Sequence, residues 1–382
     1  MACVGNWRVI MPDEVTGLRE RIAALDQSIL RAAAERLDLA AQVGIAKHES
    51  GLPIRSYQTE TAVLARYRAG ADQLGVDRQF AESLGMVLIS EAVRRQERGR
   101  LETEAADAAT PVGRQILIVG GAGKMGRWLV RFFIEQGHDV AVLDPGGSVK
   151  GARSIERLED GMAFDVILLA MPLSKGPEVL RAVLSCEPSG LIVDISSLKS
   201  HLLNDLRAGV ARGLRLASLH PLFGPGVQTL AGRVMAVCDC GHSEAADEAA
   251  SLFESTSLTI SRMSVERHDE YMQYVLGLSH LTSILFATTL ARSGYAFGEL
   301  SAVASTTFIK QARTASEVVC ENAEMYGEIQ RLNRHSKELY QLVRESLAAL
   351  ESGTLGDDPA ALSRIIIGAR DYFPAEVPRD LA

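Results

Sequence analysis

Ile116-Leu117-Ile118-Val119-Gly120-Gly121-Ala122-Gly123-Lys124-Met125-Gly126 reads as a buried strand that enters a glycine turn and then a helix. Ile116 to Val119 are all branched aliphatics, the composition of a parallel strand covered on both faces. Gly121, Gly123 and Gly126 then satisfy G-x-G-x-x-G. In such a turn the first glycine permits a tight bend, the second lets the backbone approach a pyrophosphate, and the third lets helix and strand pack closely. Phosphate oxygens would lie on the unpaired N–H groups of the helix N-terminus, where the dipole favours negative charge.

Alone, this pattern is weak, because glycines gather in turns of many kinds. The flanking sequence strengthens it. A helix is predicted over Arg127 to Gln136 and stops at Gly137; a strand over Asp139 to Leu143 follows and ends in Asp144. Asp144 stands 18 residues past Gly126. A carboxylate at that place accepts both ribose hydroxyls of NAD and repels the extra phosphate of NADP. Further parallel strands are predicted from Asp165 up to Met171-Pro172 and over Gly190 to Asp194. Ligands of open α/β sheets bind at strand C-termini. The predicted NAD contacts are therefore Gly121, Ala122, Gly123, Lys124, Met125, Gly126, Asp144, Met171 and Pro172.

The chain has 382 residues, enough for two or three domains, and 47% of them are hydrophobic. A net charge of -8 and the lack of a basic domain argue against a nucleic-acid partner. Five cysteines, at 3, 186, 238, 240 and 320, have no metal-ligand spacing and read as reduced thiols. No metal is expected. Met1 to Asp13 lacks the apolar core of a signal peptide. Tyr271 to Ala291 is apolar enough to test as a membrane span, but it contains Gln273, Ser279 and His280. It is predicted as a buried helix of a cytoplasmic protein with no membrane partner.

Residues 13–98 carry a helical pattern instead. Leu18, Ile22, Leu25, Ile29, Leu37, Ala40 and Val43 recur at helical spacing and predict one helix from Asp13 to His48. Two more follow, over Gln58 to Leu74 and Arg78 to Arg98. So long a first helix implies pairing with a second chain, hence a homodimer. Arg36 and Lys47 are eleven residues apart and share a face, whereas Arg19 is rotated away by about 100°.

Leu18-Arg19-x-x-Ile22, Ala34-Glu35-Arg36, Gly44-x-Ala46-Lys47, Pro53-x-Arg55, Glu60 and Gln96 resemble the small all-helical chorismate mutases. By that resemblance Arg19 reaches a substrate carboxylate in the partner's site and Arg36 grips one in its own. Lys47 and Gln96 hydrogen-bond the ether oxygen, and Glu60 meets the C4 hydroxyl. These residue types suit a pericyclic rearrangement of a dianion, in which cations fold the substrate and stabilise charge building on the ether oxygen. Ser56, Thr59 and Ala92 stand where the family usually has aspartate, arginine and serine.

Asp194-Ile195-Ser196-Ser197-Leu198-Lys199 and Leu219-His220-Pro221-Leu222-Phe223-Gly224-Pro225, with the glycine turn, resemble prephenate dehydrogenase. An imine-type reductase shares the nucleotide fold but not these two motifs. The resemblance implies a reaction in which His220 accepts the proton of the ring C4 hydroxyl and Ser197 hydrogen-bonds His220 or that oxygen. Neutral imidazole suits the task near neutral pH. Lys199, His280, Lys310 and Arg313 are expected to bind substrate. His280 matches a family histidine, and Lys310 and Arg313 flank Ile309, which stands where the family has an arginine after an aromatic residue. Asn333, Arg334 and His335 read as surface.

In this order the two resemblances match the bifunctional chorismate mutase/prephenate dehydrogenases (the T-protein family). They imply chorismate to prephenate, then NAD-dependent oxidative decarboxylation to 4-hydroxyphenylpyruvate, in tyrosine biosynthesis. Two alternatives stay open. One runs the same reactions on 4-amino-4-deoxychorismate and 4-amino-4-deoxyprephenate to give 4-aminophenylpyruvate. The other is a monofunctional dehydrogenase with a non-catalytic N-terminal dimerisation or regulatory module. The expected organisation is multidomain: an all-α three-helix mutase-like module (13–98), a linker (99–112), an α/β Rossmann domain (113–264), an all-α substrate and dimerisation domain (265–352) and a tail (353–382).

Overall fold

The structure is a computed structural model that describes residues 12–50, 57–103, 113–227, 230, 233–254, 256 and 258–373. The chain divides into two compact units, Met1–Thr110 and Pro111–Ala382.

The first unit is a three-helix array: α1 (Pro12–Glu49), α2 (Tyr57–Leu74) and α3 (Arg78–Thr103). α3 packs against both others. Leu37, Leu64, Ala71, Ala81, Ile89 and Ala92 form the buried seam, reinforced by surface ion pairs Arg68–Glu82 and Arg95–Asp38. α3 runs past Arg98, so its helix continues into the stretch expected as linker. The apolar stripe of α1 stays open in the single chain: Ile22 is 57% and Leu25 63% exposed.

The second unit begins with a nucleotide-binding sheet. Its elements are β1 (Gln115–Val119), α4 (Lys124–Glu135), β2 (Asp139–Leu143), β3 (Arg153–Ser154), β4 (Val166–Leu169), α5 (Gly176–Ser185), β5 (Leu191–Asp194), α6 (Leu203–Ala211), β6 (Leu216–Pro221), β7 (Val234–Asp239), α7 (Ser243–Ser251) and β8 (Thr259–Ser264). The strand order is β3-β2-β1-β4-β5-β6-β7-β8. β3 to β6 in that order are all parallel, and β7 reverses direction against β6. This is the doubly wound order with its switch point between β1 and β4. The apolar strand β4 and the fully buried strand β6, which carries Ser218 and His220, lie inside the sheet with both faces covered. α4 buries Trp128, Leu129, Phe132 and Phe133, with Phe132 stacked between Trp128 and Phe253. Each such side chain contributes about 1.5–3 kcal/mol on burial.

Helices follow: α8 (Val265–Met272), a π-helical stretch Gln273–Leu278, α9 (Ser279–Arg292), α10 (Phe297–Ser301), α11 (Thr306–Val319), α12 (Ala323–Leu332), α13 (Ser336–Leu355) and α14 (Ala361–Arg370). The single helix expected from Tyr271 is thus interrupted by a π-stretch, a feature common at functional sites. At its Gly277 an added Cβ would sit 3.0 Å from Leu339, so α13 crosses closely there. The prediction that this helix is buried does not hold within one chain. Val265–Arg292 is long and apolar enough to cross a membrane, yet only 11% of its most apolar stretch is buried. Tyr271, Tyr274, Val275 and Leu285 are exposed. One face serves the core, and the apolar composition of the other has no partner among the described residues.

Candidate active sites

The glycine turn sits between β1 and α4, and each glycine has a separate reason. Gly120, just before the motif, is the residue in the left-handed region (φ 86°), and a Cβ there would fall 2.7 Å from the Ala170 backbone. The tight bend assigned to Gly121 therefore belongs to Gly120. Gly121 is required because its Cα lies against Val142 of β2, 2.6 Å from where a Cβ would stand. Gly126 is packed on the Gly120 carbonyl and on Gly121. Gly123 is different: an added Cβ would meet only Gly120 O, at 3.4 Å. It is also the N-cap of α4 and offers no side-chain cap. Open backbone in front of an uncapped helix N-terminus is the cradle a pyrophosphate needs.

Asp144, at the exit of β2, accepts the Ala122 N–H (2.9 Å) and the Gly146 N–H (2.6 Å). Its carboxylate is thereby fixed beside the glycine turn that leads into Lys124 and Met125 at the start of α4, with lone pairs left for ribose hydroxyls. Met171 and Pro172 follow Ala170, whose N–H donates to Val119 O at 2.8 Å. They stand at the switch point, so the residues present fit NAD. Lys124 lies 3.8 Å from Glu321, which precedes α12.

The substrate side is built at the exits of β5 and β6. Asp194 ends β5 and is 1% exposed. It accepts Lys199 Nζ (2.8 Å), Ser218 Oγ (2.6 Å), Ser196 N–H (3.0 Å) and the Ser196 hydroxyl. Burial alone would raise its pKa, but the Lys199 ammonium and these donors hold it below the usual carboxylate range. Lys199 Nζ also donates to Ser196 O (2.6 Å) and Leu219 O (2.7 Å). All three ammonium hydrogens are used inside the protein, and the side chain is 0% exposed. Its expected role as a substrate ligand is therefore corrected: Lys199 ties the β5 exit loop to β6.

His220 is the penultimate residue of β6, paired with Ala236 of β7, on the edge where β1, β4 and β5 also end. It is 3% exposed. Burial first, then His268 and Lys199, push its pKa well below the ordinary histidine value, so it is neutral. Its Nδ1 is 2.9 Å from His268 Nε2, and His268 Nδ1 is 2.7 Å from Asp269 Oδ1. Sequence reading missed His268 and Asp269; a histidine next to an acid at the start of an apolar helix was the available signal. Asn333, read as surface, is buried and donates to Asp269 O at 3.0 Å. Ser197 lies in the loop between Asp194 and Lys199, half-buried, with no hydrogen bond among the described residues.

The remaining predicted substrate residues are not joined to this cluster by any hydrogen bond among the described residues. His280 packs edge-on against Tyr326 (4.7 Å between ring centroids), and its Nδ1 is buried without a partner there. Tyr326 Oη in turn donates to Glu321 (3.1 Å). Lys310 and Arg313 are exposed on α11, and neither forms an ion pair among the described residues.

In the helical unit, Arg36 donates to Leu88 O at 3.0 Å, tying α1 to α3. Lys47 is partly desolvated, which lowers its pKa, while the negative charge of buried Glu60 opposes the shift. Arg19 is exposed on α1. Gln96 is on α3, but its side chain, like Pro53, Arg55 and Ser56, lies outside the described residues. Among those residues no cluster of His, Cys, Asp or Glu could hold a metal ion. Burial pushes the Cys238 thiol up to about 12.

A nucleotide cradle, an acid at the second strand and a neutral histidine at the same sheet edge define a nicotinamide-dependent dehydrogenase fused to a helical module. Residues 18–97 match the family model of type II chorismate mutase, and residues 134–257 that of the nucleotide-binding domain of prephenate dehydrogenase. The T-protein of Enterobacter agglomerans is 26% identical over 359 residues, 93% of each chain. The 4-amino-4-deoxyprephenate dehydrogenase of Streptomyces pristinaespiralis is 26% identical over 280 residues, 69% of this chain and 93% of that one. Prephenate dehydrogenase from A. aeolicus, solved with hydroxyphenyl propionate and NAD+, shares the fold (TM-score 0.56, 18% identity, 68% of this chain and 96% of that one). The chain thus carries a chorismate mutase domain followed by a prephenate dehydrogenase nucleotide-binding domain, and it is similar over most of its length to a bifunctional T-protein.

Proposed function

We propose that the helical unit rearranges chorismate to prephenate and that the second unit converts prephenate to 4-hydroxyphenylpyruvate and CO2 with NAD, in tyrosine biosynthesis. The observation that carries the second step is a buried, neutral His220 at the sheet edge that also bears the nucleotide cradle. NAD+, when bound, supplies the hydride acceptor. His220 takes the proton from the C4 hydroxyl as C4 is oxidised, and the ring carboxylate leaves as CO2 when the ring becomes aromatic. Ser197 hydrogen-bonds the same oxygen, and Lys310 or Arg313 provides a cation for a substrate carboxylate. His280 lines the site. In the helical unit Arg36, Lys47 and Gln96 bind the dianion and its ether oxygen, Glu60 meets the C4 hydroxyl, and Arg19 serves the neighbouring copy.

A second copy of the chain is the proposed cover for the open faces of α1 and of α8–α9. The polar residues Ser279, His280 and Thr282 scattered along Val265–Arg292 suit a protein partner better than lipid. Such a homodimer would be a cytoplasmic enzyme.

The likeness to the Streptomyces pristinaespiralis protein favours one second reading, in which both substrates carry nitrogen at C4. Ser56, Thr59 and Ile309 are compatible with it. Steady-state NADH formation from prephenate and from 4-amino-4-deoxyprephenate, run side by side, tests the choice. A higher kcat/KM for prephenate supports the proposal, and a higher value for the amino compound replaces it.

A further inference from the structure

We infer that His268 and Asp269 are positioning residues that fix which nitrogen of His220 faces the substrate: Asp269 sets the tautomer of His268, and His268 sets that of His220. This rests on the reading of His220 as the proton acceptor.

The assignment follows from donors and acceptors alone. Asp269 is 1% exposed. It receives the Lys199 N–H (2.9 Å), the Ser200 N–H (2.7 Å) and the Ser200 hydroxyl. Burial works against its ionisation, but His268 and these donors prevail and hold its pKa well below the ordinary carboxylate value. An ionised carboxylate only accepts. The proton in the 2.7 Å contact therefore sits on His268 Nδ1. Burial keeps His268 neutral, so its Nε2 has no hydrogen and must accept. The 2.9 Å contact to His220 then requires a proton on His220 Nδ1. His220 is neutral as well, and its Nε2 is left bare. No hydrogen-bond partner occupies that nitrogen among the described residues.

The consequence is chemical. A neutral imidazole free to choose would spend time with its proton on Nε2, where it cannot take another. In the serine-protease triad, an imidazole held in the wrong tautomer costs about 10⁴ in kcat. Here the bond from C4 oxygen to hydrogen breaks, a bond from His220 Nε2 to that hydrogen forms, and Nδ1–H remains on His268. The positive charge on His220 then lies one imidazole away from the Asp269 carboxylate, which offsets the unfavourable charge of Lys199. The dyad is also anchored from two sides. Asp269 binds the backbone of the loop that carries Ser197, and Asn333 Nδ2 at the end of α12 holds the Asp269 carbonyl. Burying such a polar chain costs stability that apolar packing would not, which is hard to reconcile with a purely structural role.

His268→Leu and His268→Gln in the full chain test this. Leu cannot accept from His220 Nδ1–H, whereas the Gln amide oxygen can. His268→Leu should lower kcat by about 10²-fold or more, in the range general-base catalysis contributes, with KM for prephenate and Kd for NAD unchanged. His268→Gln should recover most of the loss. Full kcat in His268→Leu, or an equal loss in both variants, overturns the inference. His220→Asn run in parallel separates the two readings. If it retains turnover, the role of His220 itself is wrong; if it is inactive while His268→Leu is fully active, only the relay is wrong. Should the Leu variant fail to fold, ¹⁵N-histidine-labelled wild-type protein answers directly. Long-range ¹H–¹⁵N correlation should show His220 protonated at Nδ1, and protonation at Nε2 overturns the relay.

Discussion

Lys199 and Asp194 form an ion pair, Nζ to Oδ2 2.8 Å, in which neither side chain is more than 1% exposed. Removing one partner of such a pair leaves a buried charge uncompensated, at about 3–5 kcal/mol. Lys199→Met should therefore lower the denaturant midpoint strongly, while the folded fraction keeps its KM for prephenate. Unchanged stability with a raised KM would return Lys199 to the substrate.

Acid should destabilise the protein in two stages. Burial lowers the pKa of His138, His201, His220, His268 and His280 in the native state. Below the unfolded value of about 6.5, the unfolded chain binds protons that these rings refuse, so stability falls with pH from there downward. Asp194 and Asp269 are also depressed. Their contribution is complete above the unfolded carboxylate value of about 3.9 and is lost as pH falls through the lower native values. Melting temperatures measured at steps of pH should begin to drop near pH 6.5. A flat profile down to pH 4.5 would contradict the burial of neutral histidines.

The glycines of the turn should separate folding from binding. Gly126→Ala places a Cβ against the Gly120 carbonyl and should destabilise the unit. Gly123→Ala meets only Gly120 O at 3.4 Å, so the fold should persist while Kd for NAD rises at least tenfold. Equal effects of both variants on stability and on NAD binding would refute the distinction.

The nucleotide half of the site was legible because its determinants are local. A strand, a glycine turn, a helix and Asp144 follow one another within thirty residues, and their spacing carries the geometry. His220 was legible through its motif. The relay was not: His220 and His268 are 48 residues apart, and only the packing of α8 on the exits of β5 and β6 brings them together. Lys199 looked like a substrate ligand because sequence shows charge and not burial. Asn333 looked like surface for the same reason. The apolar run after Tyr271 predicted burial, yet composition does not say whether the covering partner is the same chain. β7 and β8 were not anticipated; the polar alternation of Thr259–Ser264 hides a strand whose pairing is set by β7.

The helical unit should lose its chemistry without affecting the other. Lys47→Ala removes the partly desolvated ammonium near Glu60. Chorismate consumption should fall by about 10²-fold or more, the cost of deleting one charge-stabilising donor, with prephenate-dependent NADH formation intact. Unaltered chorismate turnover would mean that Lys47 lies outside the mutase site.

The central claim is that one chain performs both steps, and its most direct measurement supplies the full-length protein with chorismate and NAD+ alone. The expected result is a lag while prephenate accumulates, then one NADH and one CO2 for each chorismate consumed. Chorismate left unchanged, or consumed without NADH, would contradict the claim.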